Sequence, residues 1–216
     1  MSKTARIEIR FGGETLVLTN RRTAFLPSRK LLVLSDLHVG KTAHFRKNGI
    51  AVPSGLLLDD LRRLQSQIEH FAAREVMIVG DLFHAGDNSD IDIFCEWRQN
   101  FSDIDFTLVE GNHDRVAEEV YEKACLHAVN ERYLLGGLQF VHDPADAVGT
   151  EFYIAGHLHP GVIIPTGIGG RLRLPCFHLT DSGLILPAFS KFTGLDTRNL
   201  PKGQSYVFTD QSIFRL

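Results

Sequence analysis

The sequence predicts an α/β protein (α+β in its second half) built as a two-sheet β-sandwich flanked by helices, and three observations carry that prediction. Short, wholly apolar runs alternate with amphipathic helical patterns in the first half of the chain. Gly and Pro punctuate short β-rich pieces in the second half. The composition, 44% apolar and 23% charged over 216 residues, suits one domain spanning 1–216 with a core that needs no disulfide or structural metal.

Ile7–Phe11 and Thr15–Leu18 read as two strands around the turn signal Gly12-Gly13. Leu31–Leu34 is a buried strand that stops at Ser35-Asp36. Ser54 is placed to N-cap a helix whose apolar stripe runs Leu57, Leu61, Leu64, Ile68, Phe71. Val76–Val79 is a second buried strand, ending at Gly80-Asp81. Ile93, Trp97 and Phe101 mark a shorter helix, and Phe106–Val109 a third buried strand before Glu110-Gly111-Asn112. Leu134–Leu138 reads as a hairpin leading into Phe140-Val141-His142, and Phe152–Ala155 as a strand ending at Gly156-His157. From Gly161 onward, Val162–Ile164, Arg171–Phe177, Leu184–Leu186 and Tyr206–Phe208 read as antiparallel strands.

Composition excludes several classes. No uninterrupted apolar run exceeds four residues, which leaves no transmembrane helix. The first residues lack an apolar signal-peptide core, and three scattered cysteines (Cys95, Cys125, Cys176) fit reduced thiols. The expectation is a cytoplasmic protein. A net charge of −3 argues against a duplex-coating nucleic-acid binder, though not against an enzyme that grips nucleic acid through metals.

Polar residues follow five apolar segments at once: Asp36-x-His38, Gly80-Asp81, Gly111-Asn112-His113-Asp114, His142, and Gly156-His157-x-His159. Loops at strand ends let a rigid sheet aim several side chains at one point. Taken singly, Gly80-Asp81 is a turn and His157-x-His159 a surface pair. Five in order describe a site. Carboxylate, amide and imidazole donors without Cys suit Mn, Fe or Zn better than Ca or a thiolate-bound structural zinc. Gly80, Gly111 and Gly156 permit tight turns beside an ion or substrate.

This ordered set resembles the calcineurin-like metallophosphoesterase superfamily. The resemblance runs from Leu31 to about His159. It implies two divalent ions: Asp36, His38 and His159 on one, Asn112, His142 and His157 on the other, with Asp81 bridging. It also implies that His113 faces the scissile phosphate and that Asp114 orients it. His127 and His178 stand behind His142 as alternatives, because His142-Asp143 replaces the more usual His-Gly or His-Glu. A narrower likeness joins Ser35–Lys41, Phe45-Arg46-x-x-Gly49-Ile50-x-Val52-Pro53, Arg171–Phe177, Leu186–Phe189 and Phe192-Thr193-Gly194. These segments resemble the bacterial ligase-associated DNA damage response endonucleases, and the resemblance implies functional association with a ligase and a helicase.

The expected activity is therefore metal-dependent cleavage of single-stranded or unpaired DNA, with manganese first and Fe or Zn sharing the ligand set. A phosphomonoesterase or nucleotide pyrophosphatase on the same metals is the alternative. A homodimer is left open. Lys41, His44, Arg46 and Lys47 form a basic stretch beside the first motif, where Arg46 and Lys41 are candidate phosphate contacts. His84 is a candidate substrate or supporting contact, and Phe192 and Tyr206 are aromatics that could stack on bases.

Overall fold

The computed structural model describes residues 3–42, 45, 49, 55–84, 89–149, 151–167 and 169–216. The first sheet has seven strands in chain order: β1 (Arg6–Phe11), β2 (Glu14–Thr19), β3 (Ala24–Leu26), β4 (Leu31–Leu34), β5 (Glu75–Val79), β6 (Asp105–Val109) and β7 (His127–Val129). Its first four strands run antiparallel and β4 to β7 parallel. Parallel neighbours need crossovers, and α1 (Leu56–Phe71), α2 (Ser89–Arg98) and α3 (Glu118–Lys123) supply them.

β4 is apolar throughout, and β5 and β6 are largely so, because both faces of these strands are covered. Leu32 and Leu34 pack toward the helices with Leu61, Leu64, Ile68 and Phe94, whereas Leu31 and Val33 point into the space between the sheets. There they meet Phe140, Ile154, Phe177 and Leu184 of the second sheet. All three described helices pack on the first sheet.

The second sheet comprises β8 (Arg132–Leu135), β9 (Leu138–Val141), β10 (Phe152–Ala155), β11 (Gly161–Pro165), β12 (Arg171–Leu179), β13 (Gly183–Ile185), β14 (Gln204–Phe208) and β15 (Ile213–Arg215). Its order is β15-β14-β12-β13-β10-β9-β8, and β11 pairs only with β12. One expectation is corrected here. The strands after Gly161 are not all antiparallel, since β13 runs parallel to β10, as β9 does. The β11–β12 hairpin carries the chain away and returns it beside β10 in the same sense, which strand patterns alone do not reveal.

The shorter helix marked by Ile93 and Trp97 is α2. Its fully buried side includes Ile91, Phe94, Cys95 and Arg98, and Ile93, Trp97 and, in the following 3₁₀ turn, Phe101 pack partly buried beside it. Arg98 closes the helix end, donating to the carbonyls of Phe101 (2.6 Å) and Ile104 (2.9 Å). Ser54 lies outside the described residues; the N-cap position of α1 is Gly55, in left-handed backbone. Strands β3, β7 and β15 and helix α3 carry too short a pattern to be read from sequence.

Phe94 is fully buried and meets Phe83 edge-on at 5.8 Å, between the helix layer and the loop after β5. Phe94→Ala should lower unfolding free energy by about 3–5 kcal/mol, measured by urea denaturation.

Candidate metal centre

Every residue in the five sequence segments sits just past the carboxyl end of a parallel strand. Asp36 and His38 follow β4, Asp81 and His84 follow β5, and Asn112, His113 and Asp114 follow β6. His142 follows β9, and His157 and His159 follow β10. Two sheets thus deliver their loops to one place. The loop after β4 pairs in parallel with the segment after β13: Phe189 N–H donates to Ser35 O (2.8 Å) and Ser190 N–H to Asp36 O (3.1 Å).

The backbone there is strained. Asp36, His38, Asp81, His157 and His159 all have positive φ, between 47° and 64°. Such conformations cost non-glycine residues about 1–3 kcal/mol each and gather where function holds them. Close approach explains the adjacent glycines. A Cβ on Gly80 would overlap the His142 ring, and one on Gly111 would overlap Asp81.

Two groups of donors result: Asp36, His38 and His159, and Asp81, His142 and His157, each with ligand atoms within 4.8 Å of one another. In the first, His159 Nε2 lies 3.0 Å from Asp36 Oδ1, and the His157 N–H donates to Asp36 Oδ2 (3.2 Å). His38 is buried with neither ring nitrogen hydrogen-bonded. Burial, then the nearby Lys41 charge, pulls its pKa down to about 3, so the ring is a neutral lone-pair donor.

The second group has an informative proton count. His142 Nδ1 lies 3.2 Å from the Val79 carbonyl, which can only accept, so Nδ1 carries hydrogen. The opposite nitrogen, Nε2, then faces Asn112 Oδ1 (3.1 Å), His157 Nδ1 (3.2 Å) and Asp81 Oδ1 (3.3 Å). Acceptors crowd one another there, and a proton on Nε2 or a cation in its place reconciles them. Burial alone would lower the His142 pKa, but the Asp81 hydrogen bond and charge raise it to about 9. Asp81 responds in kind: burial would raise it, yet His142 and the His113 amide (3.0 Å) hold it at about 2. The residues present therefore fit divalent metal at both groups. His142 lies in the second donor group; of its alternatives, His178 spends both ring nitrogens near Ser205 Oγ (3.0 Å) and Pro201 O (2.8 Å), and His127 is exposed on β7.

His113 is exposed at the mouth, with its ring 5.9 Å from His38 and 4.8 Å from His84. Asp114 does not reach its imidazole. Both Asp114 oxygens accept backbone amides, from Phe83 (2.7 Å) and Gly111 (2.8 Å), so the carboxylate staples the loops after β5 and β6 together. Its burial pushes the carboxyl up to about 7. Lys41 is half-buried beside Asp36 and Asp81, its pKa lowered by burial. Arg46, His44 and Lys47 lie outside the described residues. Phe192 packs edge-on to Phe45 (5.5 Å), and Tyr206 is buried between the sheets.

Sequence reasoning passed over Asp143 as a side chain with a place in the site. Its Oδ2 lies 3.6 Å from His157 Nε2, and its Oδ1 caps the following turn through Ala145 N–H (2.8 Å). It also missed Arg22 and Arg63. Arg22 donates to Ala188 O (2.6 Å), and Arg63 donates to Phe189 O (2.5 Å) and pairs with Asp60 (2.7 Å). No local pattern could signal the contacts with Ala188 and Phe189, since these lie far along the chain.

The Calcineurin-like phosphoesterase family profile matches residues 29–154, more than half of the chain, and the chain belongs to that family. Among solved structures it is similar to the Pseudomonas putida nuclease MPE, with 27% identity and a TM-score of 0.83 over 98% of this chain and 100% of the other. It also matches Yfce, a phosphoesterase from E. coli, at 16% identity and TM-score 0.44, covering 86% of this chain and 97% of that one. A protein of unknown function, AQ665 from Aquifex aeolicus, matches at 18% identity and TM-score 0.43, covering 60% and 78%. No curated protein matches the sequence. No helix among the described residues is long and apolar enough to cross a membrane.

Two outcomes follow from the geometry. Gly80→Ala should displace His142 and lower metal content at that group, whereas Gly55→Ala, equally left-handed but with open space around its Cβ, should not; metal analysis of both purified variants compares them. Metal taken up at the second group must displace the His142 proton, so affinity of the metal-free protein should rise with pH and flatten near pH 9. Calorimetric titration across that range checks the slope, and a flat profile below pH 9 would remove His142 from the donor set.

Proposed function

We propose that this chain is a binuclear metal-dependent phosphodiesterase that cuts DNA internally, on single-stranded or unpaired substrate, with manganese as its working metal. The observation that carries the reading is the pair of facing donor groups at the strand ends, in a chain alike over its whole length to a nuclease. In this reading Asp36, His38 and His159 hold one ion, and Asn112, His142 and His157 the other. Asp81 serves both, supported by its contact with His142 and its charge acting on His38. Divalent ions held there would supply Lewis acidity to the phosphate and lower the pKa of an attacking water.

The chain's own groups do the rest. His113, at the mouth and anchored by its amide on Asp81, donates a proton to the leaving alkoxide or a hydrogen bond to the phosphoryl oxygen. Asp114 acts by holding that loop. Lys41 and His84 border the same opening and meet the substrate phosphate. The single-strand preference rests on charge: a protein at −3 offers few contacts for a long duplex, whereas a flexible strand can bend one phosphodiester into the site. One domain, a cytoplasmic setting and a ligase and helicase as working partners complete the reading; the sequence resemblance supports the partners.

His113→Ala should keep both metals and lose about 10²–10³ in turnover, whereas Asp81→Ala should lose metal as well. Activity is read on closed circular single-stranded DNA and metal by elemental analysis. Intact circles alongside digestion of linear strands would indicate an exonuclease. Rapid phosphomonoester hydrolysis with no DNA cleavage would replace the nuclease reading with a phosphomonoesterase.

A further inference from the structure

The segment 190–198 runs along the Asp36–His38–His159 group and is tied to it at both ends. Ser190 N–H donates to Asp36 O (3.1 Å), and Asp196 N–H donates to His159 O (3.0 Å). Each end is further locked by a local turn. Ser190 Oγ accepts from Phe192 N–H (3.2 Å), and Asp196 Oδ1 accepts from Arg198 N–H (2.8 Å) and Asn199 N–H (3.0 Å). A cavity opens at each end. The first, of about 440 Å³, is lined by Arg21, Arg62 and Lys191 together with Asp59 and the Asp60–Arg63 pair. It shares Leu56 and Asp60 with a narrow crevice walled by His38, Lys41 and Ser190. The second, of about 390 Å³, lies at the Asp196 end and is lined by Arg173 and Arg198 together with Asp196, Ile163, Leu195 and Thr197.

Cationic side chains therefore lie beyond both ends of the segment that is hydrogen-bonded to Asp36 and His159, Arg62 and Lys191 at one end and Arg173 and Arg198 at the other. The acidic partners of Arg62 and Lys191 are exposed, unlike the buried Asp60 that holds Arg63. Arg62 meets Asp59 at 3.0 Å and Lys191 meets Asp210 at 3.3 Å, and such pairs yield readily to a phosphate. Arg173 holds the rim itself through Leu195 O (2.5 Å). A ligand with one phosphate would fill the centre and leave both flanks unused. A strand with phosphates on either side of the bond in the centre would use both.

We propose that this rim is a polynucleotide track, in which Arg62 and Lys191 on one side and Arg198 on the other bind the phosphates flanking the scissile bond. The proposal rests on the nuclease reading and adds its specificity: the preferred substrate is an internal phosphodiester with chain on both sides. These side chains touch substrate phosphate at a distance from the reacting atoms, so they govern capture of the strand and not the chemical step.

The test compares a long single-stranded oligonucleotide, a dinucleotide and an aryl phosphodiester, with manganese, for the wild type and for Arg62→Ala, Arg198→Ala and the double variant. For the wild type, kcat/KM should climb from dinucleotide to long strand. In the double variant the ratio of long-strand to aryl-diester kcat/KM should fall about tenfold or more, mainly through KM. The slope of log affinity against log salt should shrink by about 0.7 for each contact removed. An unchanged ratio and slope would overturn the track. Equal losses on both substrates would assign the arginines to the fold and overturn it too. A wild type that hydrolyses the aryl diester but no oligonucleotide of any length would instead defeat the nuclease reading beneath it.

Discussion

Asp36 is fully buried in left-handed backbone where the two sheets meet, and the metal centre depends on how it is held there. Its carbonyl accepts Ser190 N–H, and Ser35 O accepts Phe189 N–H, so the end of β4 is sewn to the segment after β13. That segment is gripped from behind. Arg22 and Arg63 are buried guanidiniums that donate to Ala188 O and Phe189 O, and Arg63 also lies over the Phe189 ring at 4.3 Å. Burial lowers both arginine pKa values, Arg22 to about 10, but neither group loses its charge near neutrality. Fixed donors on one side and Ser35–Asp36 on the other leave the segment little freedom, and the strain at Asp36 is sustained by that confinement.

Electrostatics at the centre follow from the same burial. His38 is kept neutral by desolvation, while Asp81 and His142 share a proton that a cation can replace. Burying mutually repelling acceptors would be costly in a structure with no cation to bind. Asp114 plays a different part, spending both oxygens on amides so that the loops carrying Asp81 and His113 move as one. Folding thus invests stability in a set of lone pairs that converge. Five strained ligand-bearing residues and three close-packed glycines are the visible cost of that convergence.

Much of this was legible before any fold was described. Apolar runs announce strands: Leu31–Leu34, buried on both faces, and Phe152–Ala155, whose first residue is exposed, both match their runs residue for residue. The residues of the two candidate donor groups were legible because they come in short local motifs, each attached to a strand end. Three-residue strands such as β3 and β15 were not, since so few residues establish no period. Helix α2 was legible from Ile93 and Trp97, although its most deeply buried residues are Ile91, Phe94 and Cys95. The parallel pairing of β13 with β10 depends on where a hairpin returns, and its own residues do not encode that.

The sequence by itself determined the chemistry of the centre: which carboxylates, amide and imidazoles follow which strands, and that no thiolate joins them. Those are properties of residue type and local spacing, which survive in one dimension. Only the tertiary structure decided that Asp114 braces backbone instead of pairing with His113, and that Asp143 comes to face His157. It alone brought Arg22 and Arg63 behind the Asp36 loop, and set Arg62 and Arg198 in cavities at opposite ends of segment 190–198. Each of these is a contact between side chains and backbone that the two sheets bring together only once they are packed. Residues as distant as Arg22 and Ala188 have no local pattern to join them; the shape of the folded chain does.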